Sequence, residues 1–365
     1  MYMKRVFYLL FLLLPLSGLY AQYDTEFQPE YFFGWLPSPR AEAMGQADVA
    51  AGNSIASIYY NPAAIGQVKG LQTFVSTAAP LYLLTEADFY DVGFAMKVHP
   101  LLTAGLSVRQ MSLGETDFEI LLGGQYYPIG RSKSTNYALT LASEPVKNLR
   151  VGVNVNLFDW KYISKDVSPK TNAYLPHFDA GVMYTLDVPA GSGDPHHLTL
   201  AASVTNLSGA RITFGVDSFE TQQQFPAFAR IGAAYAFSRE VSIPGMKPGP
   251  VDVLLQAEYQ NILNSEYKTA FRAGAEVVLL DLLALRIGAY TQNENTTNST
   301  NSYPRHQDFT FGGGLIFPLK ELTNGKIPAK ARLDVTIMEQ APYVDGRRLP
   351  NFRSFGLTMD WDLVL

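Results

Sequence analysis

Five charged residues, Arg230, Glu258, Arg272, Glu276 and Arg286, stand in segments that alternate apolar with small or polar side chains. Extended backbone sends successive side chains to opposite faces, so each charge falls on the polar face of its segment. Opposite charges on neighbouring strands pair across a sheet. The chemistry open to this set is ionic: a polar wall contacting a ligand or a plug, or a salt-bridge network filling a narrow interior. The alternation of sign favours the network. Covalent chemistry has little support. The chain has no G-x-S-x-G elbow, no H-E-x-x-H and no P-loop. It has no Cys, which removes disulfides and thiolate metal sites. The His residues are His99, His177, His196, His197 and His306, and the adjacent pair His196-His197 points to opposite faces of a strand, a poor arrangement for one metal. No catalytic residue, metal or cofactor is expected, and the chain does not read as an enzyme.

The elements that must carry these charges are strands. Leu149, Val151, Val153, Val155 and Leu157 alternate with Arg150, Gly152, Asn154 and Asn156. Tyr90, Val92, Phe94, Met96 and Val98 oppose Asp91, Gly93, Ala95, Lys97 and His99. Leu285, Ile287 and Ala289 oppose Arg286, Gly288 and Tyr290. Alternation and turn residues place strands near 71–80, 88–99, 102–113, 134–143, 149–162, 176–187 and 196–206, then 226–237, 251–261, 269–278, 283–292, 308–317, 330–338 and 352–362. Most are about 9–12 residues long, the length a tilted strand needs to cross a bilayer. Phe118 to Tyr127 reads as strand extension or loop. Connections alternate between longer ones of roughly 13 residues and shorter ones of roughly 7, as in barrels with long outer loops and short periplasmic turns. Loops 114–133, 207–225 and 339–351 are the long exposed ones, and 293–302 is the most polar.

Composition agrees. Of 365 residues, 47% are hydrophobic, 13% aromatic and only 17% charged, against about 25% charged in soluble domains. A net charge of −5 gives no electrostatic case for nucleic acid. Lys4 and Arg5 followed by the apolar run Val6 to Leu16 resemble a signal peptide ending at Ala21. The expected fold is all-β: a transmembrane antiparallel β-barrel of about 14 strands with a small N-terminal hatch segment. Its divisions are a signal peptide at 1–21, the hatch at 22–70 and the barrel at 71–365, with both termini periplasmic at a bacterial outer membrane. The last strand alternates apolar residues but ends in Leu365 where such proteins usually end in an aromatic.

The segment before the first strand contains Arg40, Met44, Gly45 and Ala47, then Tyr60, Asn61, Pro62 and Ala63. Asn-Pro favours a turn, because Pro fixes its own φ and keeps the preceding residue extended. The pattern Arg-x-x-x-Met-Gly-x-Ala followed by Asn-Pro-Ala just before a barrel resembles the FadL superfamily of outer-membrane barrels. It is also similar to the PorV/PorQ branch found with type IX secretion in Bacteroidetes, which shares a strand like Phe225 to Tyr235. The resemblance implies passive transport of a hydrophobic small molecule, with Arg40 as an anchoring ion pair and Asn61 and Pro62 as the turn positioning the hatch. The PorV/PorQ likeness implies instead an accessory subunit binding secreted cargo or translocon partners. Outer-membrane lipid is a partner in either case. For uptake, Gly123-Gly124 with Pro128 and Gly312-Gly313-Gly314 are places where a strand pairing could open sideways or where another group approaches closely.

Overall fold

A computed structural model describes residues 32–33, 38–79, 87–113, 119–122, 125–128, 131–163, 169–171, 174–189, 194–209, 211–216, 219–224, 226–242, 244, 248–263, 269–293, 306–338 and 352–362. The leader, Leu365, the loop 339–351, the polar tip 294–305 and Gly123-Gly124 lie outside the described residues. No helix among the described residues is long and apolar enough to cross a membrane, so any crossing falls to strands.

In chain order the strands are β1 (Leu71–Ala79), β2 (Ala87–His99), β3 (Leu102–Leu113), β4 (Glu119–Leu122), β5 (Gln125–Pro128), β6 (Arg131–Val146), β7 (Leu149–Ile163), β8 (Pro169–Thr171), β9 (Leu175–Asp187) and β10 (His196–Thr205). They continue as β11 (Arg211–Val216), β12 (Phe219–Gln224), β13 (Phe228–Val241), β14 (Gly249–Ile262), β15 (Thr269–Leu279), β16 (Leu283–Asn293), β17 (His306–Pro318), β18 (Ala329–Met338) and β19 (Phe352–Trp361). Fourteen of them close into one antiparallel barrel in the order β1-β19-β18-β17-β16-β15-β14-β13-β10-β9-β7-β6-β3-β2. The seam pairs the first strand with the last, from Leu71 opposite Trp361 to Ala79 opposite Arg353. These strands occupy the spans that alternation marks, with ends moved by a few residues.

Alternation sorts the faces. Val92, Leu106, Val153, Ile231, Leu285, Ile287 and Phe311 are exposed on the outside. Their neighbours Asp91, Ser107, Asn154, Arg230 and Arg286 are buried inside. An apolar exterior around a polar interior is the inverse of a soluble barrel and fits strands solvated by lipid. Arg230, Glu258, Arg272, Glu276 and Arg286 are between 2% and 6% exposed, so all five are inside. His99 departs from the inward face expected of it. The β2–β3 register shifts between Lys97 and His99, and His99 is exposed at the turn.

The connections also depart from a loop-only reading. Residues within 114–133 and 207–225 are not plain loops. β4 and β5 form a hairpin, and β12-β11-β8 form a three-stranded sheet, both outside the barrel sheet. Pro128 therefore ends a hairpin strand and is not a break in the barrel wall. Gly312, Gly313 and Gly314 pair in register with β16 and β18 on both sides, so the ladder is continuous there. The opposite end of the barrel carries tight turns, such as Pro100-Leu101 and Lys147-Asn148, where Asn148 adopts φ 68°.

Before β1, a short helix α1 (Pro39–Ala43) and two 3₁₀ turns, Ile55–Tyr59 and Pro62–Gln67, form a folded segment. Pro39 follows the cap Ser38, whose Oγ accepts the Ala41 amide at 3.3 Å. Pro62 follows the cap Asn61, whose Oδ1 accepts the Ala63 amide at 3.0 Å. In both places the ring supplies helical φ where no amide donor is needed. Ala41, Met44, Ile58, Asn61 and Ala63 are completely buried, and the surface that buries them is the inner wall of the barrel.

Candidate functional site

The segment meets the wall through charge, backbone hydrogen bonds and close approach. Arg40 donates from Nη2 to Glu276 Oε1 at 2.8 Å and from Nε to Oε2 at 3.1 Å. Its Nη1 lies 3.6 Å from Asp48 and donates to the Ala51 carbonyl at 3.2 Å. Glu276 is shared. Arg286 Nε contacts its Oε2 at 2.5 Å, Arg286 Nη1 reaches Asp334 at 2.8 Å, and Arg332 Nε reaches Asp334 at 3.0 Å. Charge alternates along this row, so Glu276 lies between Arg40 and Arg286, and Asp334 between Arg286 and Arg332. Breaking such a buried pair from one side costs about 3–5 kcal/mol, because the survivor is left uncompensated.

Arg230, Glu258 and Arg272 form a second group. Glu258 Oε1 lies 3.1 Å from Arg272 and 3.6 Å from Arg230, and Gln260 accepts from Arg272 at 2.6 Å and Arg230 at 3.1 Å. The other oxygen of Glu258 accepts the amides of Asp48 and Val49 at 2.9 and 3.0 Å. The five charges read from sequence thus sit in two clusters, and each cluster holds one stretch of the N-terminal segment.

The remaining motif residues have equally local reasons. Gly45 has φ 72°, and a Cβ there would strike the Ala289 carbonyl of β16. Its amide donates to Thr310 at 2.8 Å, and the Thr310 hydroxyl donates to the Ala43 carbonyl at 3.0 Å. Met44 packs on the bare Cα of Gly274 and receives a contact from Gln256 Nε2 at 3.5 Å. Asn61 does three things at once: it caps its turn, donates to the Val49 carbonyl at 3.0 Å, and donates to the Val182 carbonyl of β9 at 3.2 Å. Pro62 and Ala63 lie against Gly152 of β7, where a Cβ would overlap both.

Sequence reasoning did not find the seat itself. Gly105, Gly152, Gly181, Gly232, Gly274, Gly288 and Gly312 stand on seven different strands, all on the inner face. At each, an added Cβ would come within 3 Å of the N-terminal segment. Gly312, considered above as an opening, instead receives Ala43. The signal lay in the sequence as one glycine near the middle of the polar face of strand after strand. Asp334, Gln256 and Gln260 were also missed, because isolated polar residues in a strand do not announce which neighbour they meet.

Above this seat, in the half of the interior nearer the long connections, two rings of the same segment lie in a cage. Phe32 and Phe33 meet edge to face at 5.3 Å, and both contact Phe158 of β7, at 5.2 and 5.1 Å. The Arg109 guanidinium lies 4.3 Å from the centroid of Phe32 and 4.4 Å from that of Tyr59. Phe33 meets His177 edge to face at 5.3 Å. The polar wall behind them is self-bonded: His177 to Asn136 at 2.9 Å, Asn136 to Asn156 at 3.1 Å, and Asn156 to Asp179 at 2.9 Å. A residual cavity of about 20 Å³ remains between Phe33, Tyr59, Arg109 and this wall. His196 and His197 lie elsewhere, bonded to Tyr235 and to Asp187 at 3.0 Å, and among the described residues no acidic, His or Cys cluster suits a metal.

No family model matches the chain, and no curated protein matches it in sequence. Solved structures do match in shape. A deltaS2S3 mutant of the monoaromatic hydrocarbon channel TodX superimposes with a TM-score of 0.52 at 11% identity, covering 89% of this chain and 99% of that one. The Pseudomonas putida toluene transporter TodX gives 0.46 at 10% identity, covering 88% and 97%. The Ralstonia pickettii toluene transporter TbuX gives 0.45 at 11%, covering 88% and 97%. The chain has the fold of the FadL-type outer-membrane barrels.

Proposed function

We propose that this chain is a bacterial outer-membrane channel for passive passage of hydrophobic small molecules, with residues 38–70 as a hatch in its lumen. The observation that carries the reading is an apolar-walled barrel whose middle is filled by a segment shaped to its glycines and charges. A lumen filled in this way lacks the open water column of a general porin. The shared fold with a hydrocarbon channel supports a hydrophobic cargo over a hydrophilic one. Because the strand ladder runs unbroken through β16, β17 and β18, we place the moving part in the segment and not in that stretch of wall. In this reading residues 1–21 are the export leader, the tight turns and the C-terminal end face the periplasm, and the long connections face outward.

The test uses purified protein in liposomes. Entry of toluene into wild-type vesicles faster than into empty ones, with low ion conductance, supports the channel. Deleting residues 25–68 then leaves a folded barrel with larger ion conductance. Unchanged conductance would remove the hatch from the reading. Absence of uptake together with co-purifying secretion subunits or cargo would replace the channel with a secretion adaptor.

A further inference from the structure

We infer that the lipid-facing side of the barrel carries a binding site for the phosphate group of a phospholipid, built by Arg239, His196, Tyr235 and Phe237 at the end with the short turns. The inference rests on the channel reading only for the leaflet, which is then the periplasmic one. Three observations carry it. The first is placement. β10 and β13 pair with His196 opposite Phe237 and Leu198 opposite Tyr235. Leu200 and Ile231, two-residue steps along the same strands, are exposed on the outside, so His196, Tyr235, Phe237 and Arg239 share that outer face. The second is contrast. On other strands the outward residue at this end is Leu71, Leu102, Leu149, Leu186, Leu279 or Leu283, whereas the outward row of β13 ends in the exposed Arg239. An arginine on the lipid face is costly at mid-depth and cheap near the interface, and Arg239 stands two residues from the end of its strand. Among the described residues no carboxylate pairs with it. The third is the ring set. The His196 ring stacks on Phe237, with centroids 5.6 Å apart and planes at 18°, and its Nδ1 lies 2.5 Å from the Tyr235 hydroxyl. With the phenol donating to Nδ1, the ring proton is on Nε2, so a neutral His196 keeps one donor directed away from Tyr235. His196 and Arg239 are diagonal neighbours across the strand pair, about 7–8 Å apart, a span that one phosphate bridges when the long arginine side chain leans over. The guanidinium matches two phosphate oxygens at once, and the rings and neighbouring leucines meet the acyl chains.

The experiment is native mass spectrometry of full-length protein in detergent, titrated with dioleoyl phosphatidylglycerol and, as the phosphate-free control, dioleoylglycerol. Arg239→Gln should bind the first phosphatidylglycerol roughly fivefold more weakly than wild type, and His196→Ala should weaken it in the same direction. Dioleoylglycerol should bind wild type and both variants equally. Lys147→Gln removes the same charge from an exposed turn at the same end, where no such ring set stands, and should bind phosphatidylglycerol as wild type does. Heat-modified gel mobility verifies folding of each variant. Equal phosphatidylglycerol affinity in wild type and Arg239→Gln overturns the proposal. So does an equal loss for dioleoylglycerol, which would make the site a greasy surface, or an equal loss in Lys147→Gln, which would make it a general charge effect. Toluene uptake by liposomes separates the two readings. Uptake without headgroup selectivity leaves the channel standing and this site refuted. Headgroup selectivity at Arg239 without uptake leaves the site standing and the channel refuted.

Discussion

The two parts of the N-terminal segment are held by different physics. Residues from Ser38 to Val68 are seated by an ion pair, by backbone amides on Glu258 and by glycines that leave no room for a side chain. Phe32 and Phe33 are packed through ring faces and edges. Buried charge is worth most when both partners stay, and it penalises any displacement that separates them. Ring contacts are individually about 0.5–1.5 kcal/mol and are met equally well by another ring. The comparison teaches that the seat is specified by charge and backbone fit, whereas the cage is specified by ring packing alone.

The comparison breaks most readily at Glu276. Changing it to Gln leaves Arg40 and Arg286 facing a neutral amide inside the barrel, at a cost of about 3–5 kcal/mol. Ion conductance should rise, and amides of residues 40–50 should exchange faster with deuterium. Conductance equal to wild type would show that the ion pair does not hold the seat. A smaller effect is expected of Gly288→Val, whose side chain overlaps Met44 and Gly45. Overpacking of this kind costs about 1–3 kcal/mol, so flickering single-channel openings are expected, and a silent trace would refute the close fit. Asn61→Ala removes a cap worth about 1 kcal/mol and two cross-links to Val49 and Val182, and should loosen exchange around Ala63 while residues near Arg40 stay protected. The smallest change is Phe158→Leu, about 0.5–1.5 kcal/mol. It should speed deuterium exchange at Phe32 and Phe33 and leave ion conductance as it was, and a conductance change would join cage and seat into one unit.

Strand positions were legible in the sequence because lipid outside and polar groups inside impose a strict two-residue period. That period shows in Val151 to Leu157 without any knowledge of partners. The inward direction of Arg230, Glu258 and Arg286 followed from the same parity. Their division into two clusters did not, since it depends on how strands stagger around a closed barrel. The turn at Asn61-Pro62 was readable from φ restriction alone. What it touches was not: Gly152 and Gly181 read only as weak strand residues until the segment is laid on them. The hairpin β4–β5 lies where the sequence reads as strand extension or loop, and the strands of the sheet β12-β11-β8 lie in connections, because strands of three to six residues offer few alternations from which to read a period. Phe32 and Phe33 gave no periodic signal at all, being two rings in a stretch without alternation.

The seam between β1 and β19 has a consequence for assembly. The segment touches Gly105 on β3 and, through Pro39, Gly356 on β19, strands on either side of the place where the sheet closes. Its set of contacts is therefore complete only after the last strand has found the first. Since residues 38–70 are joined directly to β1, they are already at the closing edge when that happens. A segment seated before closure would serve as a mandrel around which the sheet is wrapped, since it precedes β1 in the chain and β19, the strand that closes on β1, follows all the others.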